Sequence, residues 1–398
     1  MWAGRHVVLG VSGGIASYKS CILARRLAEQ GARVDVILTE GAAEFVRPLT
    51  FEALTARPVL TSLWQRGAAL EHVRLAQQAD LIVVAPATAH LIARAAQGLG
   101  DDLLTTLLLA ATVPVLLAPA MNDAMFAHPA TQANLQLLKG RGCAVVGPEV
   151  GALAERPSDL PGRMSEPETI LAHAARLLRS RGHLSGKRVL VTAGPTRESL
   201  DPVRVISTRS SGKMGFRLAE AAWERGAEVM LITGPSALAD PVGVTVHRVE
   251  TTAEMAAAVG AALPGADVLI MAAAPADYRA AEAAEAKRPR VEGALALSLL
   301  PTEDILLGSR AARKKGAVIV GFALETGDAV AKGRAKLQKK DLDLIVVNDA
   351  LEAGAGFEVD TNRVTIVDRG GEAIEVPLGS KRAVAEAVLD AVEARLGR

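Results

Sequence analysis

KRVLVTAGPTRESLDPVRVISTRSSGKMG, residues 187–215, decides how the chain divides. A basic start leads into the apolar run Val189-Leu190-Val191 and then a loop rich in hydroxyls and arginine. Ser210-Ser211-Gly212-Lys213-Met214-Gly215 follows and opens an apolar-periodic stretch. The pattern predicts the first strand, loop and helix of an α/β domain. A domain therefore begins halfway along, after the short polar linker Arg179 to Gly186. The two domains are expected at residues 1–180 and 187–398. Leu27-Ala28-Glu29-Gln30-Gly31-Ala32-Arg33-Val34 and Ala222-Trp223-Glu224-Arg225-Gly226-Ala227-Glu228-Val229 mark the same helix, glycine stop and second strand in each half. The chemical motifs of the halves differ, so this reads as reuse of a common fold.

The 398 residues, half of them apolar, suffice for two domains with sizeable cores. A net charge of +1 gives no electrostatic reason to expect nucleic acid or a membrane surface as partner. Cys21 and Cys143 lie far apart without CxxC spacing, which argues against a disulfide framework or zinc site and for a cytoplasmic setting. The opening apolar run is too brief for a signal-peptide core. Leu103 to Met121 is the longest apolar stretch, but three threonines and Pro114 interrupt it. It reads as a buried helix followed by a buried strand.

Working back to the N-terminus, strand Val7-Val8-Leu9 leads into Gly10-Val11-Ser12-Gly13-Gly14, a helix from about Ile15 to Gln30, and strand Val34 to Leu38. This βαβ unit implies parallel strands with a right-handed crossover. Leu81 to Val84 and Val115 to Leu117 read as strands covered on both faces. Their following loops, Ala85-Pro86-Ala87-Thr88 and Ala118-Pro119-Ala120-Met121-Asn122, fall where open parallel sheets bind ligands. The glycine loop has GxxGG spacing and lacks the Lys-Ser/Thr ending of a P-loop, which weakens both NAD and Walker-type readings. It can present N–H groups and Ser12 to a phosphate, or it can be a tight turn; from the loop alone the two readings stand level. A lone histidine such as His72 is more often structural than catalytic, and Asn122 can simply cap a helix starting near Asp123.

Taken together, GVSGGIASYK (10–19), His72 in an H-x-x-L setting, PATAHLIARAAQGLGDDLLTT (86–106) and PAMNDAM (119–125) resemble, in order, the flavin-dependent cysteine decarboxylase family, nearest to phosphopantothenoylcysteine decarboxylases. The resemblance covers roughly residues 5 to 165 and implies a flavodoxin-like flavoprotein domain that binds FMN. Ser12, Gly13, Gly14 and Ser17 would lie near the FMN phosphate, and Thr39 with Pro86, Ala87 and Thr88 would line the cofactor. His72 would be the base, and Asn122 would grip the cysteine-derived carboxylate of the substrate. The implied reaction is oxidation of the substrate's thiol end, loss of CO₂ from the thioaldehyde, and return of a hydride. A neutral imidazole suits such a proton transfer.

Two positions depart from that pattern. His90 replaces the family's usual asparagine in PATAN. In the flap segment Gly151 to Met164, Glu155 stands where the family has the cysteine that protonates the enethiol intermediate, and the segment is one residue longer. A carboxyl under a closed lid can carry a raised pKa, so Glu155, Asp159 or water is expected as donor. The alternative is a slow or lost half-reaction.

In the second half, strands are expected at Val189 to Val191, Val229 to Ile232, Val244 to Val249, Val268 to Met271, Val318 to Phe322 and Leu344 to Val347. A hairpin of Val364 to Val367 with Ile374 to Val376 is expected to follow. TAGPTRESLDPVR, SSGKMG, AAAPADYR, VGFALET and KLQKKDLDLIVVND resemble the phosphopantothenate–cysteine ligase half of the bifunctional bacterial enzymes of coenzyme A synthesis. The fold class is thus two Rossmann-like α/β domains with mostly parallel sheets. The resemblance implies CTP-dependent joining of 4′-phosphopantothenate to cysteine through an acyl-cytidylate, then FMN-dependent decarboxylation to 4′-phosphopantetheine. It assigns Asp277, Lys287, Glu303, Asp304, Ile305, Leu306, Phe322, Lys336 and Lys340 to CTP, with Mg²⁺ on ligands the sequence does not identify. Charge building on a triphosphate needs such cations, although Lys336, Lys339 and Lys340 read by themselves as an exposed basic helix face. Thr208 replaces an asparagine that assists the acyl-cytidylate step, and a hydroxyl cannot offer two donors. Homo-oligomers through both domains, with sites shared between subunits, are expected by resemblance only. Rival readings are a flavin-binding regulator or scaffold with lost decarboxylase activity, a flavin prenyltransferase, and a pyridine-nucleotide dehydrogenase.

Overall fold

The computed structural model describes residues 1–64, 70–290, 295–349, 352, 354 and 359–397. The chain divides into two units, Met1–Leu178 and Arg179–Arg398. In the first, strands β1 (His6–Val11), β2 (Arg33–Leu38), β3 (Val59–Leu60), β4 (Leu81–Ala87), β5 (Val115–Pro119) and β6 (Ala144–Val145) form one sheet in the order β3-β2-β1-β4-β5-β6. Every neighbouring pair is parallel. Leaving aside the two-residue β3, this is the flavodoxin order, with its switch point between β1 and β4. The continuous apolar runs behave as their composition dictates: β1 and β4 are buried at every residue. Successive side chains enter opposite cores, Leu9 and Val83 packing with Leu23 and Leu27, and Val8 and Ile82 packing with Leu91 and Leu104.

Helices α1 (Ser17–Glu29), α2 (Glu40–Phe45), α3 (Pro48–Thr55), α4 (Glu71–Gln78), α5 (Ala89–Gln97) and α6 (Leu103–Ala110) follow in this unit. Then come α7 (Asp123–Ala127), α8 (Pro129–Gly140) and α9 (Pro167–Arg179). The long apolar stretch is α6, opened by an Asp102–Thr105 capping box, followed by β5. Among the described residues no helix is long and apolar enough to cross a membrane. One boundary differs from expectation, because β4 continues through Ala85-Pro86-Ala87. A register shift between Val84 and Ala87 lets the strand pass Pro86, which has no N–H to donate, before Ala87 pairs with Pro119. A short antiparallel pair, β7 (Glu149–Val150) and β8 (Pro161–Arg163), brackets the flap.

The second unit contains β9 (Arg188–Ala193), β10 (Arg197–Ser199), β11 (Val205–Ser207), β12 (Glu228–Thr233), β13 (Thr245–Arg248) and β14 (Val268–Met271). It continues with β15 (Tyr278–Ala280), β16 (Leu299–Pro301), β17 (Val318–Glu325), β18 (Leu344–Asp349), β19 (Thr361–Asp368) and β20 (Ala373–Ser380). Its helices are α10 (Lys213–Glu224), α11 (Thr252–Ala262), α12 (Ile305–Gly308), α13 (Ala329–Lys339) and α14 (Lys381–Leu396). The main sheet runs β13-β12-β9-β14-β17-β18-β19-β20, with its last two pairings antiparallel. The expected late hairpin is β19–β20. The opening stretch supplies β9, the small pair β10–β11 and the start of α10. Gly212, just before α10, takes φ +80°, a conformation that disfavours any residue with a side chain.

Charge joins α10 to α14. Glu386 accepts from Arg179, Arg225 at 2.5 Å and Arg382 at 2.7 Å, while Arg225, only 5% exposed, also reaches Asp390 and Glu393. Burial alone would raise the Glu386 pKa, but these guanidiniums outweigh it and hold the carboxyl well below its ordinary range. A depressed folded pKa stabilises above the unfolded value, near about 4.3 for Glu, and the contribution is lost as pH falls through the folded value. Glu386→Gln is expected to lower the stability of this unit at neutral pH by about 3 kcal/mol, since it leaves clustered guanidiniums uncompensated. Calorimetry should also show a smaller loss on acidification than in the parent protein; identical profiles would contradict the assignment.

Candidate active sites

The carboxyl ends of β1 and β4 open onto a cavity of about 1200 Å³. Its wall includes Ser12, Gly13, Gly14, Thr39, Thr88 and Asn122, with Leu153, Ala154 and Glu155 from the flap. The loops are tied to one another: the Ser12 hydroxyl donates to the Pro86 carbonyl at 2.8 Å and accepts from the Thr88 N–H at 3.0 Å. Ser17 donates to the Gly14 carbonyl at 2.7 Å. Thr39 and Thr88 cap α2 and α5. Pro86 and Ser17 thus brace the loops that form the wall.

The cavity fits a phosphate-bearing flavin. Its volume exceeds that of ordinary small-molecule sites. In the first turn of α1 the Ser17 and Lys19 N–H groups donate to the Gly14 and Ala16 carbonyls, both at 3.0 Å, and the turn carries no acidic residue to repel a phosphate beside the Gly13–Gly14 loop. Two wall residues escaped sequence reasoning. Lys19, 7% exposed, donates to the Met164 carbonyl at 3.0 Å and to Glu166 at 2.9 Å, tying α1 to the chain leaving the flap. Arg94 pairs with Asp101 and Asp102, holding α5 to the start of α6. His90 is exposed on the same wall.

The flap is fastened to the loop after β5. Asp123, 2% exposed, accepts from the Arg156 guanidinium at 2.8 and 2.9 Å and from the Ser158 hydroxyl. The Ser158 hydrogen bond, with those of the Ala124 N–H and Arg156, holds the Asp123 carboxyl below the usual carboxylate range against the effect of burial. The Met121 N–H donates to the Gly162 carbonyl at 3.0 Å, and a side chain at Gly162 would meet the Met121 carbonyl at 2.6 Å. Asn122 Oδ1 accepts from the Ala124 N–H at 2.9 Å, so it does cap α7, while its Nδ2 donates to Glu155. The structure thus brings together Asn122 and Glu155. It does not bring His72 to them: His72 sits in the first turn of α4, its Nδ1 buried without a partner among the described residues, and it is absent from this cavity's wall.

In the second unit Thr208 donates to the Ala274 carbonyl at 2.9 Å, fixing the loop after β11 against the one after β14. Lys340 pairs with Asp304 at 3.1 Å, and Lys336 pairs with Glu325 at 2.5 Å. Asp304 also caps α12, accepting from the Leu307 N–H at 3.2 Å. Ile305 and Leu306 point into the apolar core with Ile319 and Leu342, so only their backbones could meet a ligand. Phe322 is half-buried on β17, whereas Asp277, Lys287 and Glu303 are exposed. The Asp277 carbonyl accepts from the Thr302 N–H at 2.9 Å, which sets Asp277 beside the Glu303–Asp304 segment. The Lys287 loop is placed by Asp201, 2% exposed, which accepts from the N–H groups of Val203, Arg204 and Arg288. That anchor was missed; its only signal was an Asp in a Pro-containing loop. Among the described residues no cluster of three or more His, Cys, Asp or Glu could hold a metal alone.

Two family models divide the sequence: "Flavoprotein" matches residues 1–179, and "DNA/pantothenate metabolism flavoprotein C-terminal domain" matches residues 184–396. The chain is 48% identical to the coenzyme A biosynthesis bifunctional protein CoaBC of Mycobacterium tuberculosis, over 98% of this chain and 96% of that one. It is 46% identical to the Vibrio cholerae protein of the same name, over 99% of each. With the Bacillus subtilis protein of that name the identity is 44%, over 99% of this chain and 98% of the relative.

Proposed function

The chain belongs to the CoaBC family of bifunctional coenzyme A biosynthesis proteins, and on that premise we propose that it makes 4′-phosphopantetheine in two steps. The second unit joins 4′-phosphopantothenate to cysteine with CTP and Mg²⁺; the first, a flavoprotein unit, decarboxylates the product with FMN. The small molecules and the two cysteines without a CxxC pair support a cytoplasmic enzyme.

The observation that carries the decarboxylase reading is the Asn122 amide at the wall of the flavin-sized cavity, with its oxygen committed to the helix cap and its nitrogen donating to a carboxylate, that of Glu155 in the flap. An amide N–H is a suitable donor for the carboxylate that leaves as CO₂. FMN supplies two-electron oxidation of the substrate thiol and later returns the hydride. The loop at Gly13 and Gly14, on the cavity wall ahead of α1, would hold its phosphate. His72 is the base. Since it does not line its own cavity, we place it against the cavity of a neighbouring subunit in a homo-oligomer. Glu155 replaces the flap cysteine as donor of the proton taken up when the enethiol is reduced.

In the ligase unit Lys287, Lys336 and Lys340 meet the charge that develops on the triphosphate. Lys336 and Lys340 are held by Glu325 and Asp304 and exchange those partners for phosphate on binding. Thr208 orders the loop around the acyl-cytidylate through its hydrogen bond to Ala274.

The donor assignment has its own test. Glu155→Gln is expected to let CO₂ release proceed within a few-fold of the parent rate while the enethiol accumulates, followed by mass. Unchanged formation of 4′-phosphopantetheine would remove Glu155 from the mechanism.

A further inference from the structure

The amide of Asn122 presents one end to the cavity, because Oδ1 is fixed by the Ala124 N–H at 2.9 Å. That end already has a carboxylate on it, since Nδ2 donates to Glu155 Oε1. Its position is set by the flap's register: Asp123, buried and ionised, grips Arg156 and Ser158 on either side of the segment that follows Glu155.

We propose that Glu155 is an internal stand-in for the substrate's carboxylate, occupying the Asn122 amide until the substrate displaces it. This rests on the reading of Asn122 as the residue that takes that carboxylate. An amide nitrogen carries two hydrogens, but two carboxylates on it would sit within about 5 Å of each other, where like charges repel strongly. The flap carboxylate and the ligand carboxylate therefore exclude one another. The closed flap keeps the amide paired between turnovers, lowers affinity for the carboxylate-bearing substrate, and returns to the amide that CO₂ has left open once Glu155, protonated while displaced, has given its proton to the reduced enethiol. A flap cysteine would make no such competitor, because a neutral thiol repels no carboxylate. The competition acts on one ligand class only: 4′-phosphopantetheine, which has lost the carboxylate, has nothing to contest.

The test uses full-length, FMN-loaded protein carrying His72→Asn to prevent turnover, with Glu155 intact or replaced by Ala or Gln. Titration calorimetry measures binding of 4′-phosphopantothenoylcysteine and of 4′-phosphopantetheine. If the amide is engaged about nine-tenths of the time, Glu155→Ala tightens the first ligand about tenfold. It leaves the second within about twofold, and Glu155→Gln, which keeps a contact without the charge, falls between. Equal tightening of both ligands would mean general opening of the flap and would overturn the proposal, as would no change in either. If neither ligand binds any of the three proteins, the decarboxylase reading itself fails.

Discussion

His72→Asn is expected to lower CO₂ release from 4′-phosphopantothenoylcysteine by about a hundredfold to ten-thousandfold, the range for loss of a positioned general base. CTP-dependent ligation should stay at the parent rate. Asparagine retains a hydrogen-bonding side chain in the first turn of α4 but cannot accept a proton near neutral pH. His72 is absent from the wall of the cavity in its own subunit, so the expectation can be sharpened. Mixed oligomers of His72→Asn and Asn122→Asp chains should recover part of the activity that neither has alone, because some interfaces would join an intact base to an intact amide. Activity lost from both reactions in His72→Asn would contradict independent sites, and failure of mixing to restore any activity would contradict a shared one.

Asn122→Asp is the second large effect. The change is nearly isosteric and keeps an oxygen to accept the Ala124 N–H, so the start of α7 should survive. What changes is the outward end, where a donor becomes an anion facing Glu155 and the incoming carboxylate. Two unit charges about 4 Å apart, at an effective dielectric near 20, repel by about 4 kcal/mol. That corresponds to about a thousandfold in kcat/KM for decarboxylation, with ligation unchanged. A variant within tenfold of the parent would remove Asn122 as the carboxylate's partner.

The fold was legible wherever a local period carried it. Val7 to Leu9, Leu81 to Val84 and Val189 to Val191 are continuous apolar runs, and each proved to be a strand buried on both faces or nearly so. The three-residue strands β10, β11, β15 and β16 are too short to show a period, and they went unread. At the site, motif order identified Ser12 and Asn122, and both lie on the cavity wall. Asp123 stands next to Asn122 but was read only as the start of a helix. Its role depends on Arg156 and Ser158, more than thirty residues away, and no local pattern encodes such a pairing. Motif order says that a segment belongs to a site, not which of its atoms face it; of Pro86 to Thr88, it is Thr88 that lines the cavity. The lysines show the same limit, since sequence offered Lys336 and Lys340 as open cations and the fold gives each a carboxylate partner.

Coupling of the two reactions on one chain is the central claim, and one incubation tests it directly. FMN-loaded protein is given 4′-phosphopantothenate, cysteine, CTP and Mg²⁺, and the products are followed by mass over time. 4′-Phosphopantothenoylcysteine is expected to appear first, with release of CMP, and then to decline with loss of CO₂ as 4′-phosphopantetheine accumulates. Ligation product that persists undiminished, with FMN bound and no CO₂ released, would contradict it and leave the first unit as a flavin-binding partner of a ligase.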